Sequence, residues 1–489
     1  MGQSRILIAG PKSGSGKTLV TIGLLRAFKD RGLKVSSFKC GPDYIDPLFH
    51  RAVLQVPAGN LDPFFSDAGQ LRQILAEESA GADISVLEGV MGYYDGLGAS
   101  SVEASTYDVA KKTKTPVIFV IDAGGAGLSN LALLSGFFHF VQDSGICGVL
   151  LNRCSENVFR MLKEKVEEAY PIPVLGYLPR LKEEEIPSRH LGLFLPNEIE
   201  GLSQKVGKIA AQMEETVDLD GILELACKAG KLEKAGGPAE QMQPGQAPEE
   251  AGASAAGPGN LSEKPEHPAE NKERLPVRIA VARDEAFCFY YRENISLLEK
   301  LGARIVEFSP LRDHSLPEGC SGLILGGGYP ELHTRQLSEN TPMLEAVRRA
   351  VNEDMPVWAE CGGFLYLQAQ LQNPEGEKWP MAGVLDAEGL KSDKLSHFGY
   401  VQLTARQDTL LLKKGGTIRG HEFHYWKSTF DGDAFLEEKP VGTRHWTGGI
   451  AKGNLLAGFP HFYLSSAPEA AERFLDVCRQ FAARQKAGI

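Results

Sequence analysis

The sequence predicts an α/β protein built from two doubly wound, mostly parallel-sheet domains in series. Three observations carry that prediction. Short apolar runs alternate with amphipathic stretches throughout, the rhythm that lays helices over a parallel sheet. A stretch rich in Pro, Gly, Ala and Glu, with few large apolar residues, divides the chain at 228–275; it cannot bury enough surface to order itself and reads as a disordered linker. The flanking pieces, 1–227 and 276–489, are each of ordinary domain size.

Taken in order, RILIAG is a strand, a helix runs from Gly16 to about Arg31, and KVSSFK, ISVLEG, PVIFVID and GVLLNR are further strands. A helix near Asn130 to Gln142 separates the last two. In the second half VRIAVA, RIVEFSP, GLILGGG and PVWAE read as strands. Helices are expected through Asn294 to Leu301, around Met343 to Asn352, and from Gly362 onward.

With 43% hydrophobic and 24% charged residues the composition is that of a soluble globular protein. Its most apolar long window, Pro116 to Val141, is broken by Asp122 and by glycines, which argues against a membrane span. No secretory signal precedes the first strand, so the expected address is the cytoplasm. The eight cysteines are scattered singly, without the spacing of a zinc site or a disulfide framework. A net charge of −11 argues against nucleic acid as the main partner. Oligomeric state, a homodimer included, is left open.

GPKSGSGKT, Gly10 to Thr18, follows a strand and opens a helix. Backbone N–H groups of such a loop, here Ser13, Gly14, Ser15 and Gly16, surround the phosphates of ATP at a helix N-terminus. Lys17 is expected to reach the terminal phosphates and Thr18 the Mg²⁺ ion. Glu88 ends the apolar run ISVLEG, where ligands of open α/β sheets bind, and suits Mg²⁺. Asp43 and Asp46 in KCGPDYIDP and Asp95 in GVMGYYDG lie in loops after strands; capping or turn roles compete with binding Mg²⁺ or substrate. Lys39 is either a cation beside the transferring phosphate or a solvated surface lysine.

AECGGFLYL places Cys361 between a strand and a helix. At such an elbow a helix N-terminus lowers a thiol pKa, and the Gly362 N–H faces a developing oxyanion. Alone, the cysteine is as readily inert core. LILGGGYPELH adds a glycine turn whose Gly327 and Gly328 N–H groups complete an oxyanion hole, and GFPHFYL adds His461 as base and acid. This order of turn, thiol and late histidine resembles class I glutamine amidotransferase domains. In those a glutamate commonly follows the histidine by two residues. Tyr463 stands there, so the expectation is a Cys361–His461 dyad without a third member.

The phosphate loop, with five residues between Gly10 and Gly16 and a second lysine, resembles the deviant loop of the dethiobiotin synthetase and nitrogenase iron protein superfamily. That resemblance implies that Lys12 also contacts phosphate and that Asn152, ending GVLLN, reads adenine. Across both halves GPKSGSGKT, KCGPDYIDP, VLEGVMGYYDG, PSRHLGL, DEAFCFYY, GGGYPELH, AECGGFLYL and RGHEFHYW resemble the cobyrinate a,c-diamide synthase family of cobalamin biosynthesis. The resemblance implies that ATP activates two carboxylates of a corrin polycarboxylate as acyl phosphates. Ammonia from glutamine then converts them to amides. Hydrogenobyrinate or nickel sirohydrochlorin could replace cobyrinate, and a nucleotide-switched assembly protein is the non-enzymatic alternative. Trp426 and Tyr463 depart from the family pattern; the expectation is that they touch specificity and glutaminase tuning.

Overall fold

The computed structural model describes residues 3–181, 188–189, 192–193, 199, 201–232 and 277–487. The linker expectation from 233 to 275 lies outside them, as do Pro187, His190 and Leu191 of the PSRHLGL string.

In the first half β1 (Arg5–Ala9), α1 (Lys17–Asp30), β2 (Val35–Cys40), α2 (Ile45–Leu54) and β3 (Ala58–Leu61) open the chain. They are followed by α3 (Ala68–Glu78), β4 (Ile84–Glu88), α4 (Thr106–Thr113), β5 (Val117–Asp122) and α5 (Ser129–His139). Next come β6 (Ile146–Asn152), α6 (Glu156–Ala169), β7 (Val174–Tyr177) and the short pair β8 (Ser188–Arg189) and β9 (Gly192–Leu193). Helices α7 (Leu202–Thr216) and α8 (Leu219–Cys227) complete it. The sheet order is β3-β2-β4-β1-β5-β6-β7, every pairing parallel. Alternate residues of β1 enter opposite cores: Ile6 and Ile8 pack with α1, α2, α7 and α8, while Leu7 and Ala9 pack with α3 to α6. Burial of both faces explains why these strands read as continuous apolar runs.

The second half begins with β10 (Val277–Ala282), α9 (Arg292–Lys300), β11 (Ala303–Phe308) and β12 (Gly322–Leu325). Then come α10 (Thr334–Glu339), α11 (Thr341–Asn352), β13 (Val357–Glu360) and α12 (Gly362–Tyr366). Strands β14 (Gln368–Gln372), β15 (Lys378–Pro380), β16 (Leu385–Ala405) and β17 (Thr417–Ser428) follow. The remaining strands are β18 (Phe435–Glu438), β19 (His445–Gly448), β20 (Ile450–Lys452), β21 (Leu455–Gly458) and β22 (His461–Phe462), and α13 (Pro468–Ala487) ends the chain. One sheet, β11-β10-β12-β13-β21-β20, is parallel except at β20. A second, β15-β14-β16-β17-β22, is mainly antiparallel and was not announced by the alternation of apolar runs with amphipathic stretches.

The halves meet through aromatic and polar contacts. Phe65 stacks on Tyr463 with centroids 4.6 Å apart and planes 9° apart. The Asn60 N–H donates to Glu293 Oε1 at 2.7 Å, and Tyr400 OH donates to Asp62 Oδ2 at 2.8 Å. Tyr463 is thus an interface residue, and its ring is buried away from solvent.

Candidate active site

Gly16 caps α1 with φ of 97°, in the left-handed region that favours glycine. A Cβ there would lie 2.0 Å from Asn152 Nδ2, so glycine lets β6 approach the loop. Asn152 Nδ2 donates to Ser15 O at 3.1 Å, and Arg153 Nη2 donates to Gly14 O at 2.8 Å. Ser15 Oγ donates to Lys12 O at 2.8 Å. The ammonium of Lys17 donates to Lys12 O at 3.0 Å and to Met91 O at 2.5 Å. Burial, then repulsion from Lys39, lowers Lys17 to about 8. Lys12, Ser13 and Gly14 are exposed.

Beside this loop Glu88 is wholly buried. Its Oε1 accepts from Thr18 Oγ1 at 2.5 Å and from Lys39 Nζ at 2.7 Å; Lys39 also donates to Asp46 Oδ2. Lys39 is 5% exposed, so the solvated-lysine alternative is corrected: two buried carboxylates demand a cation between them. Burial raises Glu88 to about 7 despite Lys39. For Asp46 burial pushes upward, but Lys39's charge and hydrogen bond hold the carboxyl below its ordinary value. Asp43 Oδ1 accepts from Ile45 N at 2.8 Å at the start of α2, the capping role its loop position allowed, and burial raises it to about 6. Asp95 Oδ2 accepts from Gly92 N at 2.9 Å.

Thr18, Asp46 and Glu88 thus bring hard oxygen donors to one spot, and no donor reaches Glu88 Oε2. This set fits Mg²⁺, which binds through one or two carboxylates and completes its shell with phosphate oxygens and water. Among the described residues no group of three His, Cys, Asp or Glu side chains could hold a metal ion alone.

Cys361 follows β13 with φ of 48° and ψ of −101°, a conformation non-glycine residues rarely adopt and one associated with functional elbows. Its N–H donates to Gly458 O at 2.8 Å. A Cβ on Gly362 would sit 3.0 Å from Gly328 N, and one on Gly327 would sit 2.3 Å from His461 Cε1. The absent side chains let the glycine turn link the elbow to the imidazole. The expected low thiol pKa is corrected: burial pushes the Cys361 thiol well up, Glu331 adds to it, and the Gly362 N–H opposes only in part. Helix α12 spans five residues, too few for a strong dipole. The thiol is held neutral and needs a base.

His461 Nδ1 lies 3.4 Å from Glu360 Oε2, while Glu360 Oε1 accepts from Phe462 N at 2.9 Å. The residue just before the thiol thus brings a carboxylate near the imidazole without a hydrogen bond to it, a candidate third member beside the expected dyad. The available signal was a lone charge ending the apolar strand VWAE. The Tyr44 ring, from the first half, packs 4.8 Å from His461. Trp426 donates through Nε1 to Gln372 O at 2.7 Å and packs in the second half's core. It is not among the residues lining the interdomain cavity.

That cavity, of about 550 Å³, lies between the two halves. Asp43, Met91 and Asp95 line it from the first half, and Phe398, Phe423, Lys439 and His461 from the second. Met91 and Phe398 are each 53% exposed, large apolar groups presented to the opening. His421, also in the lining, is lowered by burial, then by His461, to about 3 and stays neutral.

Residues 6–194 match the CobQ/CobB/MinD/ParA nucleotide binding domain, and residues 278–469 match the CobB/CobQ-like glutamine amidotransferase domain. The chain is 38% identical over 478 residues to the cobyrinate a,c-diamide synthase of Caldanaerobacter subterraneus subsp. tengcongensis, covering 97% of this chain and 98% of that one. The synthase of Salmonella typhimurium is 37% identical, with 97% and 98% covered. That of Thermoplasma acidophilum is 36% identical, with 96% and 99% covered.

Proposed function

The chain belongs to the cobyrinate a,c-diamide synthase family, and from that premise we propose how its two halves divide one reaction. The protein is a glutamine-hydrolysing, ATP-dependent carbon–nitrogen ligase that amidates the a and c carboxylates of cobyrinate in cobalamin synthesis. A carboxylate oxygen is a poor leaving group, so ammonia alone does not displace it. In the first half the loop amides of Ser13 to Gly16, with Lys12 and Lys17, hold the triphosphate, and Asn152 faces the nucleotide. Lys39, held by Asp46 and Glu88, adds positive charge beside the transferring phosphate, and Asp43 and Asp95 line the cavity that takes the substrate. Thr18, Asp46 and Glu88 would hold Mg²⁺, which when bound draws charge from the phosphate oxygens. The carboxylate oxygen attacks the γ-phosphorus, ADP leaves, and an acyl phosphate forms.

In the second half His461 takes the proton of the neutral Cys361 thiol. Sulfur adds to the glutamine carboxamide carbon, and the N–H groups of Gly327, Gly328 and Gly362 are candidates to face the oxyanion. Glu360 orients His461 and stabilises the imidazolium through Nδ1. His461 returns the proton to departing ammonia, and water later hydrolyses the thioester. Ammonia attacks the acyl carbon in the interdomain cavity, phosphate leaves, and the amide remains. One observation carries this reading: a single cavity is lined by Asp43 and Asp95 from the phosphate side and by His461 from the thiol side.

Mass spectrometry of cobyrinate incubated with ATP, Mg²⁺ and glutamine tests it, with a gain of two amides expected. Cys361→Ala should abolish glutamine use while ammonium chloride still supports amidation. Glutamine hydrolysis without a change in cobyrinate, or glutamine-supported synthesis by the Cys361→Ala variant, contradicts it.

A further inference from the structure

Strand β17 separates two chemically different cavities. Side chains of a strand alternate between faces, and here His421 and Phe423 line the apolar interdomain cavity. Their neighbours Glu422 and His424 line a second cavity of about 220 Å³. That cavity is less apolar than the first, and Glu437, Asp431 and Lys427 also face it. Glu422 is 2% exposed, Glu437 1% and His424 6%.

These buried groups lack what they are arranged to bind. His424 donates through Nδ1 to Trp426 O, which leaves Nε2 as an acceptor, and no donor reaches that atom. Burial lowers His424 to about 4, so the ring stays neutral. No donor reaches Glu422 Oε2 either. Glu437 Oε2 accepts from Trp446 Nε1 at 2.9 Å. Burial and mutual repulsion raise Glu422 well above the ordinary carboxylate range, and burial raises Glu437 to about 7, with the Lys439 ammonium opposing both only in part; two such neighbours tend to share a proton. A carboxyl pair and an imidazole nitrogen make three acceptors, matching the three donors of a primary ammonium. A metal ion is a poorer match, since no described group of three ligating side chains could hold one.

The cavity shares a wall with the core that holds the thiol. Phe459, in its wall, follows Gly458, whose carbonyl accepts the Cys361 N–H. The Phe459 ring stacks on His424 at 3.7 Å and meets Phe364 edge-on at 5.0 Å. We propose that this cavity binds a primary ammonium group, the α-ammonium of glutamine, through Glu422, Glu437 and His424. Lys427 at its exposed edge faces the α-carboxylate. The proposal rests on Cys361 being the glutaminase nucleophile.

The test compares full-length wild type with Glu422→Gln, using glutamine, glutaramate (glutamine without its α-amino group) and ammonium chloride as nitrogen sources. Losing a charge-assisted hydrogen bond should raise KM for glutamine on the order of 10-fold with a smaller change in kcat. The preference for glutamine over glutaramate should narrow, and KM for ammonium should stay as in wild type. A rise in KM for ammonium with the glutamine preference retained would mean that the cavity holds released ammonium, overturning the α-ammonium assignment. Unchanged constants with all three sources would overturn the site altogether. Glu437→Gln is the second variant if Glu422→Gln fails to fold, with ammonium-dependent synthesis reporting the fold. Glutamine use by Cys361→Ala would sink the nucleophile reading; a dead Cys361→Ala beside an unaltered Glu422→Gln preference would sink only this one.

Discussion

At the scale of residues, the informative carboxylate is Glu360. Replacing it by Gln keeps size but removes the charge that faces His461 Nδ1 across 3.4 Å. The expected outcome is a fall on the order of 10²-fold in glutamine-dependent kcat, with ammonium-dependent synthesis kept and Glu360→Asp recovering part of the loss. A full glutaminase rate in Glu360→Gln would show that the dyad acts alone. The elbow at Cys361 and the phosphate loop were legible as structure because each sits in a local pattern of strand, glycine turn and helix; His461, on the two-residue β22, has no such pattern around it. The position of Glu360 near His461 was not legible, since the two lie about a hundred residues apart and meet only when β21, which leads into β22, pairs with β13. Lys39 was illegible for a similar reason. Its burial depends on Asp46 and Glu88 arriving from α2 and β4. The thiol pKa was misread because the elbow pattern gives the helix start but neither its five-residue length nor the depth of burial.

At the scale of elements, β17 explains a motif that spacing left unresolved. RGHEFHYW, legible in the sequence only as a string shared with the family, lies on β17, whose two faces open on different cavities. Phe423→Ala should raise KM for the macrocycle and leave KM for glutamine unchanged, measured by varying each substrate at saturation of the other. Equal rises in both would mean that β17 is merely a shared support. The parallel strands and their helices were legible from apolar runs, because both sheet faces are covered. The antiparallel sheet was not. Strand β16 runs for 21 residues with register shifts against β17, and such irregularity breaks the period of two on which strand recognition depends.

At the scale of the whole molecule, the interface couples the two chemistries and carries its own titration. Burial raises Asp62 from 3.8 to about 7, although Tyr400 donates to it. Between those values the folded chain binds more protons than the unfolded one, so this carboxyl makes stability fall as pH rises from about 4 to about 7. Asp62→Asn should flatten the decline in denaturation midpoint between pH 5 and pH 8; parallel declines in both proteins would exclude the contribution. The central claim is that thiol and phosphate loop serve one reaction through the cavity between them. The most direct measurement is mass spectrometry of product made from amide-¹⁵N glutamine in the presence of excess unlabelled ammonium. The account predicts two ¹⁵N amides per cobyrinate, with ammonia passing within the molecule; product carrying mostly unlabelled nitrogen while labelled ammonia accumulates in solution would contradict it.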